Sequence, residues 1–507
     1  MKGKLLFWID DDFIFYSLAH SLQKKYEADL YSIVADEQDS SKDFFKTQQL
    51  VPFQKVWFFH DNIGIVYKKP DLQYLSLFEE KYGINIWHIA YTDRYFYREF
   101  NPYYKFKDYE ILSLIEQECR LFENILDEAK PDFMLMAAAT THNTYLLYEL
   151  CRKKGIKVLA LESVRFTNRY MITEEILKHD SLVYYPDTKN DSNIKPHSDV
   201  LEQNFDNQII IRTKISKWEK MRVAFKFLFF PQKNTHQNRY NNLGKTKLKI
   251  IFHGATKIRF LKRNYRESFI NRNSIREIDD SRPFVYYPMQ SEPERITFIG
   301  APFYTNQIAI ITNIVKSLPV GYELYVKEHP IMKQFDWRSI SYYKQILDLP
   351  NVKLVHPEVK AHEIIKRCSL LITIVGSSTL EACFYGKPSI IFMDSDYSIL
   401  PSVYTLKNLP ELPHAIRTSL NKKVNASDLL KYQEFIEKNS FYFDKIKFVT
   451  DFSNIFYYVG FLKEVEFPIE KVKQFLEKNK EMFDKLADEY IKKIQMHKRY
   501  SSLKQIK

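Results

Sequence analysis

Glycine and proline are scarce, at 11 and 20 of 507 residues. That excludes collagen-like, low-complexity and disordered chains, which depend on those two residue types. Cysteine is scarcer still: Cys119, Cys151, Cys368 and Cys383 form no C-x-x-C pair, which leaves the usual zinc and dithiol motifs without support. Buried free thiols in a reducing cytoplasm are expected instead. No apolar run approaches the ~18 residues that cross a bilayer. The run from Lys2 to Ile9 is too short for a secretory signal and ends in Asp10-Asp11-Asp12. The expected location is cytoplasmic, with peripheral contact at the inner face of the cytoplasmic membrane left open. No arginine-rich run or RNA-binding signature accompanies the net charge of +12, so no nucleic-acid partner is expected. The charge fits lysines on solvated faces, an anionic membrane surface or an anionic substrate.

Length and apolar content dominate what is present. A chain of 507 residues exceeds one ordinary core, so two or three domains are expected, and a hydrophobic fraction of 45% can fill them. The 35 Tyr and 39 Phe have two readings, a compositional bias or stacking surfaces for sugars or bases.

Apolar runs and helical spacings alternate along the first third of the chain. Leu5–Ile9, Leu30–Val34, Val56–Phe59, Ile84–Ile89, Phe133–Met136 and Val158–Leu161 read as strands. Helices are expected at Phe13–Lys25, Leu72–Tyr82, Tyr109–Ala129 and from the Ala137–Asn143 turn to Lys154, where Gly155 supplies a stop. Such alternation implies a parallel sheet with covering helices. The segment from Pro186 to Thr246 breaks the pattern. It is polar apart from Lys217–Phe230, a basic, aromatic helix that packs on its own domain or lies at a membrane surface. The alternation resumes with strands at Phe284–Tyr287, Tyr322–Lys327, Asn351–Val355, Leu370–Val375 and Ser389–Met393. Beyond Asn421 the chain turns helical and charged. The fold class is therefore α/β, with two Rossmann-like lobes facing a cleft and a C-terminal helical extension. The divisions fall at residues 1–185, an insertion or inter-domain connection at 186–280, 281–420, and a helical region at 421–507.

Two turns carry the most chemistry. Lys327-Glu328-His329-Pro330 closes one apolar strand. Residues i and i+2 of a strand share a face, so Lys327 and His329 can converge on one anion, with Nε2–H of the imidazole donating to a phosphate. A surface turn is the alternative. Gly376-Ser377-Ser378-Thr379 follows another buried strand and opens a helix. Glycine permits close approach, and the hydroxyls and amides suit either phosphate or plain helix capping. Glu381 can bind a ribose or sugar hydroxyl, or merely favour the helix dipole. There is no Walker loop and no G-x-G-x-x-G. Ligands of open α/β sheets sit outside the carboxyl ends of the strands, which is where both turns lie.

In order and spacing, Phe284–Glu294, Lys327–Pro330 and Gly376–Pro388 resemble the C-terminal half of capsule polysaccharide biosynthesis proteins, the GT-B-type β-Kdo transferases. The Lys-Glu-His-Pro turn and the Ser-Ser pair are also similar to motifs of bacterial GT-B sialyltransferases, with Glu328 standing where those have glycine. The resemblance implies a glycosyltransferase of surface polysaccharide or glycolipid synthesis, using a nucleotide-sugar donor, with a CMP-activated ulosonic acid favoured. It implies His329 at the donor phosphate with Ser377 and Ser378 beside it, and Lys327 nearby. Gln290, Glu292 and Glu294 would border the donor, residues 281–420 being the donor lobe and 1–185 the acceptor lobe, whose partner is a glycan or a lipid-linked acceptor.

A glycosyl transfer also needs a carboxylate as base or nucleophile. Glu162 is the catalytic expectation together with His329, with Arg165 and Arg169 near Glu162 for a sugar-acid carboxylate or phosphate. A structural Glu–Arg pair is the alternative. Asp10–Asp12 read as a solvated turn, and no Asp-Asp-Gly string is present, since Phe13 follows Asp12. His142 and Asn143 can touch substrate or cap a helix, and His253-Gly254 can line the crevice. Asp394-Ser395-Asp396 is formally D-x-D but reads as a loop, so no metal and no cofactor beyond the donor are expected. A nucleotide-sugar epimerase, a polyol-phosphate transferase and a non-catalytic assembly scaffold are the competing readings.

Overall fold

The computed structural model describes residues 3–36, 39–63, 69–93, 96, 104–164, 168–175, 216–229, 248, 257–279, 281–292, 295–425, 427–456 and 466–504. Arg165, His253, Gly254 and Glu294 lie outside them. The chain divides into two compact units. The first comprises Met1–Ile176, Asn204–Ile251 and Ser440–Lys507, the second Leu177–Gln203 and Phe252–Asn439.

The first unit is built on β1 (Gly3–Ile9), β2 (Ala28–Val34), β3 (Lys55–Phe58), β4 (Phe133–Ala137), β5 (Lys157–Ser163) and β6 (Arg169–Thr173). β1–β5 pair in parallel and β6 returns antiparallel to β5. β1 lies inside the sheet, between β4 and β2. Leu5, Leu6, Phe7, Trp8 and Ile9 are all buried, the continuous apolar reading of a strand covered on both faces. One expected strand is a helix. Ile86–Tyr91 is helical because the side chain of Asn85 accepts from the amide of His88 at 2.7 Å and that of Glu79 from the amide of Ile86 at 2.7 Å. Both satisfy free amides of a first helical turn, and Ile86, Ile89 and Ala90 then bury one face.

The second unit holds β7 (Phe284–Pro288), β8 (Glu323–Lys327), β9 (Val352–Val355), β10 (Leu370–Thr373), β11 (Ser389–Ile391) and β12 (Val403–Thr405), all parallel. Its order is β12-β11-β10-β7-β8-β9, and the first unit repeats it as β6-β5-β4-β1-β2-β3. Each is the Rossmann order 3-2-1-4-5-6, with its switch point between the first and fourth strands. The two α/β lobes expected from the sequence are present.

The C-terminal stretch does not stand apart. Residues up to Asn439 belong to the second unit, and the rest joins the first. There β13 (Phe441–Tyr442) pairs antiparallel with β6. The helices Lys445–Phe456, Ile469–Lys478 and Lys480–Lys504 follow. The reason is burial. The helix Ile14–Leu22 is buried at every residue but His20, so it needs cover on its outer side. Phe448, Phe452, Phe475, Phe483 and Tyr490 share its core. Phe13 packs against both Phe452 at 5.1 Å and Phe467 at 5.0 Å and has a φ of 58°, a conformation costing a non-glycine residue about 1–2 kcal/mol. Many of the aromatics are thus core residues.

Candidate functional site

The sheet order of the second unit makes β8, β7 and β10 neighbours. Their three carboxyl-end turns, with Lys327–Pro330, Gln290–Glu292 and Gly376–Thr379, therefore lie side by side at the switch point. Turns distant in sequence are joined directly. Gln290 Nε2 donates to Thr373 Oγ1 at 2.8 Å across the β7/β10 gap. Gly376 is pressed into this junction: a Cβ there would meet Thr373 Oγ1 and Ser378 Oγ at 3.2 Å and Gln290 Nε2 at 3.4 Å. Glycine is favoured by close approach, since the neighbouring side chains would have to give by a few tenths of an ångström to admit a Cβ.

A buried arginine holds the other junction. Arg338 Nε donates to Glu328 Oε2 at 2.8 Å, Nη2 donates to the carbonyl of Gln290 at 2.6 Å, and Nη1 binds the carboxylate of Glu292. Glu328 accepts further from Tyr343 Oη at 2.9 Å and from the amide of His329 at 2.8 Å. Gln307 clamps the same turn, donating to Glu292 Oε1 at 2.6 Å and accepting from the amide of Gln290 at 2.8 Å. Glu292, expected to touch a donor, is thus engaged by Arg338 and Gln307. Sequence reasoning missed Arg338, Gln307 and Thr373: an arginine in a loop and two polar residues in apolar elements carry no local signal.

His329 caps the turn after β8, and its Nδ1 accepts from the amide of Ile331 at 3.3 Å. An accepting Nδ1 requires the proton on Nε2 in the neutral ring. Although the residue is exposed, surrounding protein and the charges of Lys327 and Arg338 hold its pKa below the ordinary value. Lys327 and His329 lie within electrostatic reach, although β8 ends at Lys327 and His329 is already in the turn beyond it. Lys327 is buried, and burial pulls it down to about 8 against the attraction of Glu381 and Glu328. Burial likewise raises Glu381 to about 7, against Lys327. Glu381 thus faces a lysine as well as the helix start. Ser377 makes no side-chain capping bond to the helix Ser378–Phe384, so plain capping does not explain its hydroxyl. Thr379 is fully buried and its hydroxyl has no hydrogen-bond partner. It faces the protein interior, which removes it from the residues a nucleotide can touch directly.

The first unit corrects several expectations. His142 is fully buried, with Nδ1 at 2.5 Å from Asp93 Oδ2 and Nε2 at 2.9 Å from Glu118 Oε1. Burial opposes its charge, but Glu118 and Asp93 outweigh it and hold the pKa up at about 10. Both ring nitrogens are occupied, so His142 is a structural cation and not a substrate contact. Asn143 turns inward too, its side-chain oxygen accepting from the amide of Thr144 at 2.8 Å and from the hydroxyl of Thr141. Arg169 donates from Nε to Ser440 Oγ and from Nη2 to the carbonyl of Ser440, both at 2.7 Å. It ties β6 to the returning C-terminal chain, and β6 pairs antiparallel with β5, which carries Glu162. Glu162 is buried near the end of β5.

Asp10 is more than a solvated turn residue. It follows β1 at the switch point and accepts from Trp8 Nε1 at 2.7 Å. Burial, then the charge of Asp12, raise it to about 7, against the Trp8 bond and Lys445. Asp396 of the D-x-D string accepts from Tyr432 Oη. Among the described residues no group of three or more His, Cys, Asp or Glu side chains is arranged to hold a metal ion, and no helix is long and apolar enough to cross a membrane.

No protein-family model matches the chain, and neither does any curated protein sequence. Among solved structures it is similar to the UDP-GlcNAc 2-epimerase of Methanocaldococcus jannaschii in complex with UDP-GlcNAc and UDP, at 15% identity over 86% of this chain and 100% of the other, with a TM-score of 0.26. It is also similar to KpsC of Thermosulfurimonas dismutans, a β-Kdo 2,7 transferase, at 13% identity over 69% and 88% of the two chains, with a TM-score of 0.30. The glycotransferase of kitacinnamycin overlaps at 9% identity over 86% and 96%, with a TM-score of 0.23. Likenesses at such low identity and TM-score assign neither substrate nor reaction, and the architecture rests on the two strand orders.

Proposed function

We propose that the protein is a metal-independent, GT-B-type glycosyltransferase of surface polysaccharide or glycolipid synthesis, and that its second unit binds the nucleotide of a CMP-activated ulosonic acid. One observation carries the reading: Lys327 and an Nε2-protonated His329 after β8, and the Gly376-Ser377-Ser378 turn after β10, flank the end of β7 at one switch point. These are the groups that stabilise negative charge on a departing phosphate. His329 Nε2–H donates to the phosphate, Lys327 supplies positive charge and the two serines supply hydroxyls. Gln290 and Glu292 fix the edge of the site, and Glu381 receives a sugar or ribose hydroxyl. In the transfer, the bond from the anomeric carbon to the phosphate oxygen breaks, its electron pair stays on the phosphate, and the acceptor oxygen bonds the anomeric carbon. The acceptor proton needs a general-base carboxylate, the role expected of Glu162.

Thermal shift with CMP, CDP, UDP and GDP tests the reading. Stabilisation by CMP alone supports it. Stabilisation by UDP alone moves the assignment to an epimerase or another transferase, and no response to any nucleotide leaves a scaffold. The His329→Ala variant should lose the CMP response, and an unchanged response would overturn the phosphate contact.

A further inference from the structure

Two helices outside the candidate site expose large apolar side chains next to basic ones. The helix Lys217–Phe229 in the first unit presents Trp218, Met221, Phe225 and Phe229 at 81%, 63%, 58% and 67% exposure. Steps of three, four and four residues put all four on one stripe. Arg222 and Lys226 are exposed beside it, and Glu219 is the segment's only acidic residue against four Lys and Arg. At thirteen residues the helix is about 20 Å long.

The second helix, Lys257–Asn273, is seated on the second unit by one side. Arg266 Nη1 donates to the carbonyls of Asp336 and Trp337 at 3.0 and 2.8 Å, Glu267 pairs with Lys333 at 2.8 Å, and Ile270 is buried. The opposite side holds Leu261 and Tyr265 outward at 64% and 71% exposure, with Lys262 exposed beside them, and Phe260 near the N-terminal end is 62% exposed. Six Lys and Arg stand against one Glu in this segment. A helix anchored along one side while its aromatics point to water is not explained by packing within its own unit.

We propose that each of these helices, on its own unit, is a docking element for an anionic lipid surface. Trp, Phe and Tyr suit the headgroup boundary, and interleaved Lys and Arg are attracted to anionic headgroups. A protein partner's apolar groove would instead leave those cations buried and unpaired. The net charge of +12 favours the same partner at longer range. This inference is independent of the donor-site reading, because none of its residues belongs to that site.

Flotation of the full chain with vesicles tests it. Binding is expected to mixed phosphatidylglycerol–phosphatidylcholine vesicles, to weaken with added salt and to fail with phosphatidylcholine alone. Replacing Trp218, Phe225 and Phe229 by alanine should lower the partition coefficient by about tenfold or more. Single reversals of Arg222, Lys226 or Lys262 to glutamate should lower it by about fivefold or more each. All these side chains are exposed, so the melting midpoint should not move. Equal binding to both vesicle types, or full binding by the aromatic triple variant, would overturn the proposal. So would a dimer in size-exclusion light scattering that the same substitutions dissolve, which would assign the stripe to a second copy.

Discussion

Removing the guanidinium of Arg338 while keeping most of its apolar stem, as in Arg338→Met, isolates the charge that joins the turns after β7 and β8. The Arg338 side chain is 4% exposed and faces Glu328 at 1% and Glu292 at 11%. The substitution leaves Glu328 buried with only Tyr343 Oη and the His329 amide as donors. Breaking a buried pair from one side costs about 3–5 kcal/mol, mostly from the charge left behind, against a typical total of about 5–15 kcal/mol for a domain. The Arg338→Met/Glu328→Gln variant should recover a large part, since the neutral amide oxygen accepts from the His329 amide while its NH2 donates to Tyr343 Oη. Two units need not unfold together, so the assay must report on the second. Trp337 is that unit's only tryptophan and adjoins the site. Urea titration followed by the fluorine resonance of fluorotryptophan at Trp337 gives the local free energy. A loss below about 1 kcal/mol in Arg338→Met, or strict additivity in the double variant, would refute the reasoning that a desolvated charge cluster holds the turns together.

Nucleotide affinity should fall as pH rises. Lys327 loses its proton through about 8 and Glu381 gains its negative charge through about 7, so both changes oppose a phosphate, and calorimetric titration of Lys327→Arg should lose the upper step. The first unit should lose stability as pH rises through about 10. The pKa of His142 is raised from 6.5, so the contribution of its cation is full below 6.5 and declines as the folded protein loses the proton. His142→Asn should flatten that part of the urea-midpoint profile, and a parallel profile would contradict the assigned charge. Gly376→Ala should cost about 1 kcal/mol, since Thr373, Ser378 and Gln290 must yield by a few tenths of an ångström. The CMP thermal shift should weaken with it, and an unchanged response would place the nucleotide elsewhere.

The amino-acid sequence by itself determined the two alternating α/β units, most of their strands, and the paired turns after β8 and β10. Those features are local. Runs such as Leu5–Ile9 and Leu370–Thr373 report burial on both faces, and the polar turns Asp10–Asp12 and Gly376–Ser378 follow them. Ile86–Tyr91 was not legible because a short apolar run fits strand and helix alike until Asn85 and Glu79 supply the missing acceptors. Only the tertiary structure decided that β7 lies between β8 and β10, that Arg338 binds Glu328 and Glu292, and that His142 is enclosed by Asp93 and Glu118. It alone returned residues after Asn439 to cover the first unit. The physical reason is that charge pairing and the covering of an apolar face depend on distances between elements far apart in the chain, whereas periodicity records only whether each residue is turned toward water or away from it.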